Sequence, residues 1–217
     1  ANGKVVNLTS SYGGADAGNY SIAGQSTATA NVTPAALTIS GITAANKTYD
    51  GTTAATVSVA GVVKTGLIGS EDVTVSSTGV FANKNAGNGK TVNLTNSYGG
   101  ADVGNYTITD QSTATANISQ AALTISGITA ANKVYDGTTA ATVSVASVAK
   151  TGLIGSEDVT VSATGVFANK NVANGKTVNL TNSYAGADVG NYSIADQSTA
   201  TANVTPAALT MTAQNAS

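Results

Sequence analysis

The sequence predicts an all-β protein built as tandem immunoglobulin-like β-sandwich repeats of 86 residues, with a β-grasp-like repeat as the alternative. Three observations lead there. Near-identical stretches return every 86 positions, as with Tyr49 and Tyr135, or Tyr12, Tyr98 and Tyr184. Apolar residues alternate with Thr, Ser and Asn at a period of two, the signature of strands with one face on a core. Clusters of Gly, Asn, Asp and Ser interrupt those runs at intervals that suit about seven short strands per repeat.

The period divides the chain into four segments. Residues 1–34 match the C-terminal part of a truncated repeat, 35–120 and 121–206 are complete repeats, and 207–217 begin as the first strand of a next one. The two complete copies differ at about 12 of their 86 positions. The chain starts without Met and in the middle of a repeat, which reads as a piece of something longer.

Within the first complete repeat the elements follow in order. Residues 35–40 (A-A-L-T-I-S) alternate, as do Val57/Val59, Val73/Val75, Val92/Leu94, Tyr106/Ile108 and Ala114/Ala116/Ile118. Turns are expected at Asp50-Gly51, Ile68-Gly69-Ser70, Asn83-Lys84-Asn85 and Gly99-Gly100-Ala101-Asp102. No window of a dozen residues has helical spacing, which weighs against the β-grasp alternative. The motif Asp102-x-Gly104-x-Tyr106, repeated at Asp188, Gly190 and Tyr192, resembles a tyrosine corner, whose hydroxyl bonds back to the backbone just upstream. Ile108 and Ile194 stand where antibody domains carry the second cysteine, so an apolar contact replaces a disulfide.

Composition narrows the chemistry. The chain has no Cys, His, Trp or Arg, and nine lysines stand against eleven acids. Ordinary zinc, copper, haem and iron–sulfur sites need Cys or His, and nucleophilic triads need a His-like base, so no cofactor is expected. Few and scattered lysines do not suit phosphate readout, so nucleic acid is not an expected partner. Charged residues make up 9 % of the chain, far below the usual quarter or so. No apolar run approaches the roughly 20 residues of a transmembrane segment, and residues 1–30 lack a signal-peptide pattern.

The most chemical-looking stretch is Tyr49-Asp50-Gly51-Thr52-Thr53, repeated at Tyr135, Asp136 and Gly137. As a site, Asp50 could serve as a base or cation ligand and the threonines as nucleophiles, but each role lacks a partner at suitable spacing. The structural reading needs nothing further: Asp-Gly is a strong turn pair, Tyr49 can bury its ring and the threonines open a strand. Lys47, Lys64, Lys84 and Lys90 read as solvated edge and loop charges, with an isopeptide crosslink as the sharper alternative. Glu71-Asp72 and Glu157-Asp158 read as exposed turns, and the Asn-x-Ser/Thr triplets as sequons of a chain rich in Asn and Thr.

The runs K-x-Y-D-G-T-T-A-A-T-V, G-V-F-A-N-K-N-x-x-N-G-K-T-V, G-A-D-V-G-N-Y and T-A-T-A-N-V-T-P-A-A-L-T resemble the bacterial YDG repeat domain over essentially the whole chain. The resemblance implies tandem β-domains of very large secreted surface proteins, filamentous-haemagglutinin-like adhesins among them. It implies an extracellular location at the bacterial cell surface, no enzyme activity, and no catalytic residues to carry over. The function expected is a stalk or spacer whose partners are neighbouring repeats of the same chain. The alternative is a subunit of a self-assembling extracellular filament, with copies of the chain as partners.

Overall fold

The computed structural model describes residues 2–212, and these are all-β: strands joined by turns, with three short 3-10 turns and no α-helix among them. The helix that a β-grasp repeat requires is therefore not among the described residues. Thr- and Val-rich alternation gives strands rather than helix because β-branched side chains pack well on a pleated surface.

The described chain forms two compact units, and their limits do not follow the sequence repeats. The first holds the described residues up to 44 together with Ala55–Val80 and Val92–Ala114. The second holds Ala45–Ala54, Phe81–Thr91 and the described residues from 115 onward. One end of the first repeat, carrying the Tyr49-Asp50-Gly51 turn, thus belongs to the same compact body as the whole second repeat.

In the second unit a five-stranded sheet runs in the order Lys133–Val134, Thr199–Thr205, Ala173–Ala185, Thr160–Phe167, Ala140–Ala141. Its backbone is the long antiparallel hairpin in which Thr160 faces Ala185 and Phe167 faces Val178. The pairing with Thr199–Thr205 slips between Ala173 and Lys176. Gly175 sits in that slip with a positive φ of 60°, and its N–H donates to Asn203 Oδ1 at 2.7 Å. A glycine with positive φ at an unpaired extra residue is the ordinary chemistry of a β-bulge.

A three-stranded sheet in the same unit places Ala121–Ser126 between Ala149–Thr151, antiparallel, and Tyr192–Ala195, parallel. Ala121–Ser126 alternates buried and exposed at every position, so Leu123 and Ile125 face inward with Ile128, Val159, Phe167, Val178, Tyr192 and Val204. The edge strand Lys133–Val134 also pairs parallel, with the end of Thr199–Thr205.

The first unit repeats this pattern. Ala35–Ser40 pairs parallel with Tyr106–Thr109 and antiparallel with Val63–Thr65. Its core is Leu37, Ile39, Ile42, Val73 and Tyr106, with Val57, Val75, Leu94 and Ile108 packed against them. Residues Lys4–Asn7 and Thr27–Ala30 form an antiparallel pair with little burial, and Tyr20 is 72 % exposed.

Two expectations change. Each complete repeat has ten strand segments rather than about seven, because several pairings last only two residues before a turn interrupts them. Residues 207–212 carry no strand, and the remainder of the segment expected as a next first strand, 213–217, lies outside the described residues.

Candidate functional site: the Tyr-Asp-Gly turn and its seat

The turn is built the same way in both repeats. Asp50 Oδ1 accepts the backbone N–H of Thr52 at 2.9 Å and its hydroxyl at 2.8 Å, while Gly51 takes a φ of 77°. An aspartate bonded to the chain two residues on, followed by a residue in left-handed backbone, is the Asx arrangement that Asp-Gly favours. Lys47 closes it. Its ammonium lies 2.7 Å from Asp50, donates to the carbonyls of Thr52 (2.9 Å) and Ala54 (3.1 Å), and stands over the Phe81 ring at 5.6 Å.

Lys133, Asp136, Gly137, Thr138 and Phe167 reproduce this set, with the ion pair again at 2.7 Å. Hydrogen bonding by Lys47, then by the Thr52 backbone, pulls the Asp50 carboxyl down to about 2; Lys133 and Thr138 do the same for Asp136. Both carboxylates are thus occupied inside their turns. Lys47 is not the solvated charge expected of it: its side chain is 17 % exposed, because one ammonium satisfies carbonyls that the tight turn leaves unpaired.

What differs between the repeats is the surface against which the tyrosine rests. Tyr49 is 3 % exposed and Tyr135 is 36 % exposed. Tyr49 donates its hydroxyl to Glu157 and meets the Tyr192 ring edge to face, with centroids 5.7 Å apart. Lys84 lies 5.8 Å from the centre of the Tyr49 ring and pairs with Glu157 at 2.6 Å, with Asp188 at 3.6 Å. Tyr192 donates to the other oxygen of Glu157 at 2.5 Å and accepts the Ile154 N–H at 3.0 Å. Ala86 N–H donates to Asn191 Oδ1 at 2.9 Å, and the Gln120 amide donates to the Gly190 carbonyl at 3.0 Å.

Glu157 is the hub. Burial works against its charge, but the hydrogen bonds from Lys84, Tyr192 and Tyr49 together outweigh burial and hold its carboxyl below the usual range. Burial first, and the Glu157 hydrogen bond second, raise both tyrosines, with Tyr192 pushed up to about 12. Lys84 is raised, chiefly by its hydrogen bond to Glu157. The site holds the Glu157 carboxylate, with Asp188 beside it, among neutral phenols and one cation, an arrangement suited to fastening.

The Asp-x-Gly-x-Tyr residues lie on the seat side of this contact. Asp102 Oδ2 accepts the Asp72 N–H at 2.8 Å, and Asp188 does so for Asp158 at 3.0 Å. Gly104 and Gly190 lie in the 3-10 turns that lead into Tyr106 and Tyr192. The tyrosine hydroxyls do not return to the chain just upstream. Tyr106 OH accepts from Ile68 N–H, 38 residues back, at 3.0 Å and donates to Glu71. The loop before each glutamate supplies both a donor and a charged acceptor there, a stronger pair than a lone carbonyl.

Sequence reasoning passed over Glu71 and Glu157 as exposed turn residues, yet the Glu157 side chain is 10 % exposed. It also passed over Gln111 and Gln197, whose amides span Ile42 and Ile128 through paired bonds of 2.8–2.9 Å. The available signal was the repeat itself, since a tyrosine that recurs at a fixed spacing can find its partner in the following copy.

Residues 33–115 and 119–202 match the family model described as the YDG domain. No curated protein and no solved structure matches the chain significantly.

Proposed function

Because the chain belongs to the YDG domain family, in two tandem copies, we propose that it is a structural segment, a stalk or spacer of a large bacterial surface or secreted adhesin, without enzyme activity. The observation that supports this reading is the seating of Tyr49 and Lys84, from one repeat, on Glu157 and Tyr192 of the next. A hinge between independent beads would leave such groups in water. Here a ring, an ion pair and two hydroxyls are fixed together at the junction, so bending it requires breaking several contacts at once.

An extracellular setting suits the same features. The fold uses no cysteine and so needs no disulfide chemistry to work outside a cell. The immunoglobulin-like sandwich stays part of the proposal, supported by the apolar core under alternating strands in each repeat. Electron microscopy of the native material, at a resolution that separates single repeats, tests the reading. Threads of regularly spaced repeats with constrained bending at each junction are expected, whereas freely jointed beads, or turnover of a substrate by the purified chain, would overturn it.

A further inference from the structure

The first unit carries a copy of the Glu157 seat that no tyrosine turn fills. Ile68, Glu71, Asn105 and Tyr106, with Pro34 at the edge, line an open groove of about 350 Å³. They stand one 86-residue period before Ile154, Glu157, Asn191 and Tyr192. The internal hydrogen bonds are the same: Ile68 N–H to Tyr106 OH, and Tyr106 OH to Glu71 Oε2. The remaining features differ in one consistent direction. Glu157 Oε1 takes both Tyr49 and Lys84, whereas Glu71 Oε1 has no partner among the described residues. Asn191 is 4 % exposed and accepts from Ala86, while Asn105 is exposed. Ile68 is 58 % exposed, whereas Ile154 is partly covered and its Cγ2 would lie 3.1 Å from a Cβ placed on Gly51.

The second unit presents the complementary end. Tyr135-Asp136-Gly137 keeps the internal lysine and aspartate bonds of the seated turn, but its tyrosine is 36 % exposed, and a Cβ on Gly137 would meet nothing within 4 Å. Lys170, one period after Lys84, is exposed as well.

We propose that the groove at Ile68, Glu71, Asn105 and Tyr106 is a docking seat for the Tyr-Asp-Gly end of another YDG repeat, one carrying the residues found at 35–86. The partner is identified by three features: a tyrosine whose hydroxyl reaches Glu71, a lysine that pairs with the same carboxylate, and a backbone N–H that meets Asn105. Residues 1–34 correspond to positions 87–120 one period later, so residues 35–86 can be joined to them to present a matching Tyr-Asp-Gly end. This deepens the structural reading and rests on it for its biological meaning, while the docking itself is independent of where the protein resides.

The absence of cysteine allows a direct test. Ile68→Cys and Ile154→Cys are made separately in the full chain, and their maleimide labelling rates are compared under native conditions. Ile154→Cys should label about tenfold more slowly than Ile68→Cys, and Tyr49→Ser together with Lys84→Ser should remove the difference. Residues 35–86 are then placed ahead of residue 1 in the Ile68→Cys chain. Labelling should fall about tenfold, to the rate of Ile154→Cys. Equal labelling of the two single variants, or no change on extension, would overturn the proposal and leave the stalk reading standing. Protection at Ile68 without constrained bending in micrographs would do the reverse.

Discussion

Tyr49 and Tyr192 meet edge to face, with ring planes at 79°, and both direct their hydroxyls to the single carboxylate of Glu157. This geometry places the positive edge of one ring near the negative face of the other, and each ring shields the charge between them. The contact ties two sequence repeats together within one compact unit.

Removing the carboxylate should cost more in the second repeat than in the first. Glu157→Ala leaves Lys84, Tyr49 and Tyr192 without their shared acceptor, and we expect a loss of about 2–3 kcal/mol. Glu71→Ala removes the acceptor of Tyr106 alone and should cost less. Urea unfolding of the two variants checks the order, and equal losses would mean that the Tyr49 contact adds nothing.

The two turn tyrosines provide a matched pair. Tyr49→Phe deletes a buried hydroxyl that donates to Glu157 and should destabilise by about 1 kcal/mol. Tyr135→Phe, on the exposed copy, should fall within about 0.5 kcal/mol of the parent. Calorimetric midpoints of the two proteins decide between them.

Stability should fall at both ends of the pH range. Asp50 and Asp136 are held at about 2 and Glu157 below its ordinary value, so their contribution is present above the unfolded carboxylate range and is lost as pH drops toward 2. Tyr98, Tyr184 and Tyr192 are raised to about 12, the first two by burial and then by Asp110 and Asp196. Their contribution is whole below the unfolded tyrosine value near 10 and disappears as pH rises toward 12. Phenolate absorbance against pH should show a late-titrating group that includes these three tyrosines together with Tyr49 and Tyr106, and Tyr192→Phe should remove one member of it.

Gly165 belongs to the long hairpin, at a position where a Cβ would stand 2.7 Å from Val143 Cγ2 and 2.8 Å from Val178 Cγ1. Gly165→Ala should overpack that position and cost about 1–3 kcal/mol. Gly137→Ala has open space around it but a φ of 77°, so any loss there comes from the backbone alone. Comparing the two by chemical denaturation separates crowding from backbone strain.

Much of the fold is legible in the sequence because its signals are local. Alternation at 35–40 and 121–126 marks strands that bury Leu37, Ile39, Leu123 and Ile125, and Asp50-Gly51 forms the turn its residue types favour. The parallel pairing of Ala35–Ser40 with Tyr106–Thr109 is not legible, since no turn links the two strands and alternation is indifferent to direction. The seat of Tyr49 is hidden for a similar reason: its acceptor lies 108 residues away, on a Glu-Asp pair with the composition of an exposed turn. Lys47 misleads in the same way, because a lone lysine in a Thr-rich segment gives no sign of the carbonyls it will gather.

The 108 residues between Tyr49 and Glu157 also set an order of events. A chain that emerges amino end first completes the turn around Lys47 and Asp50 long before the carboxylate that receives Tyr49 is available. The Tyr49 turn therefore waits, formed but uncovered, until the second repeat arrives.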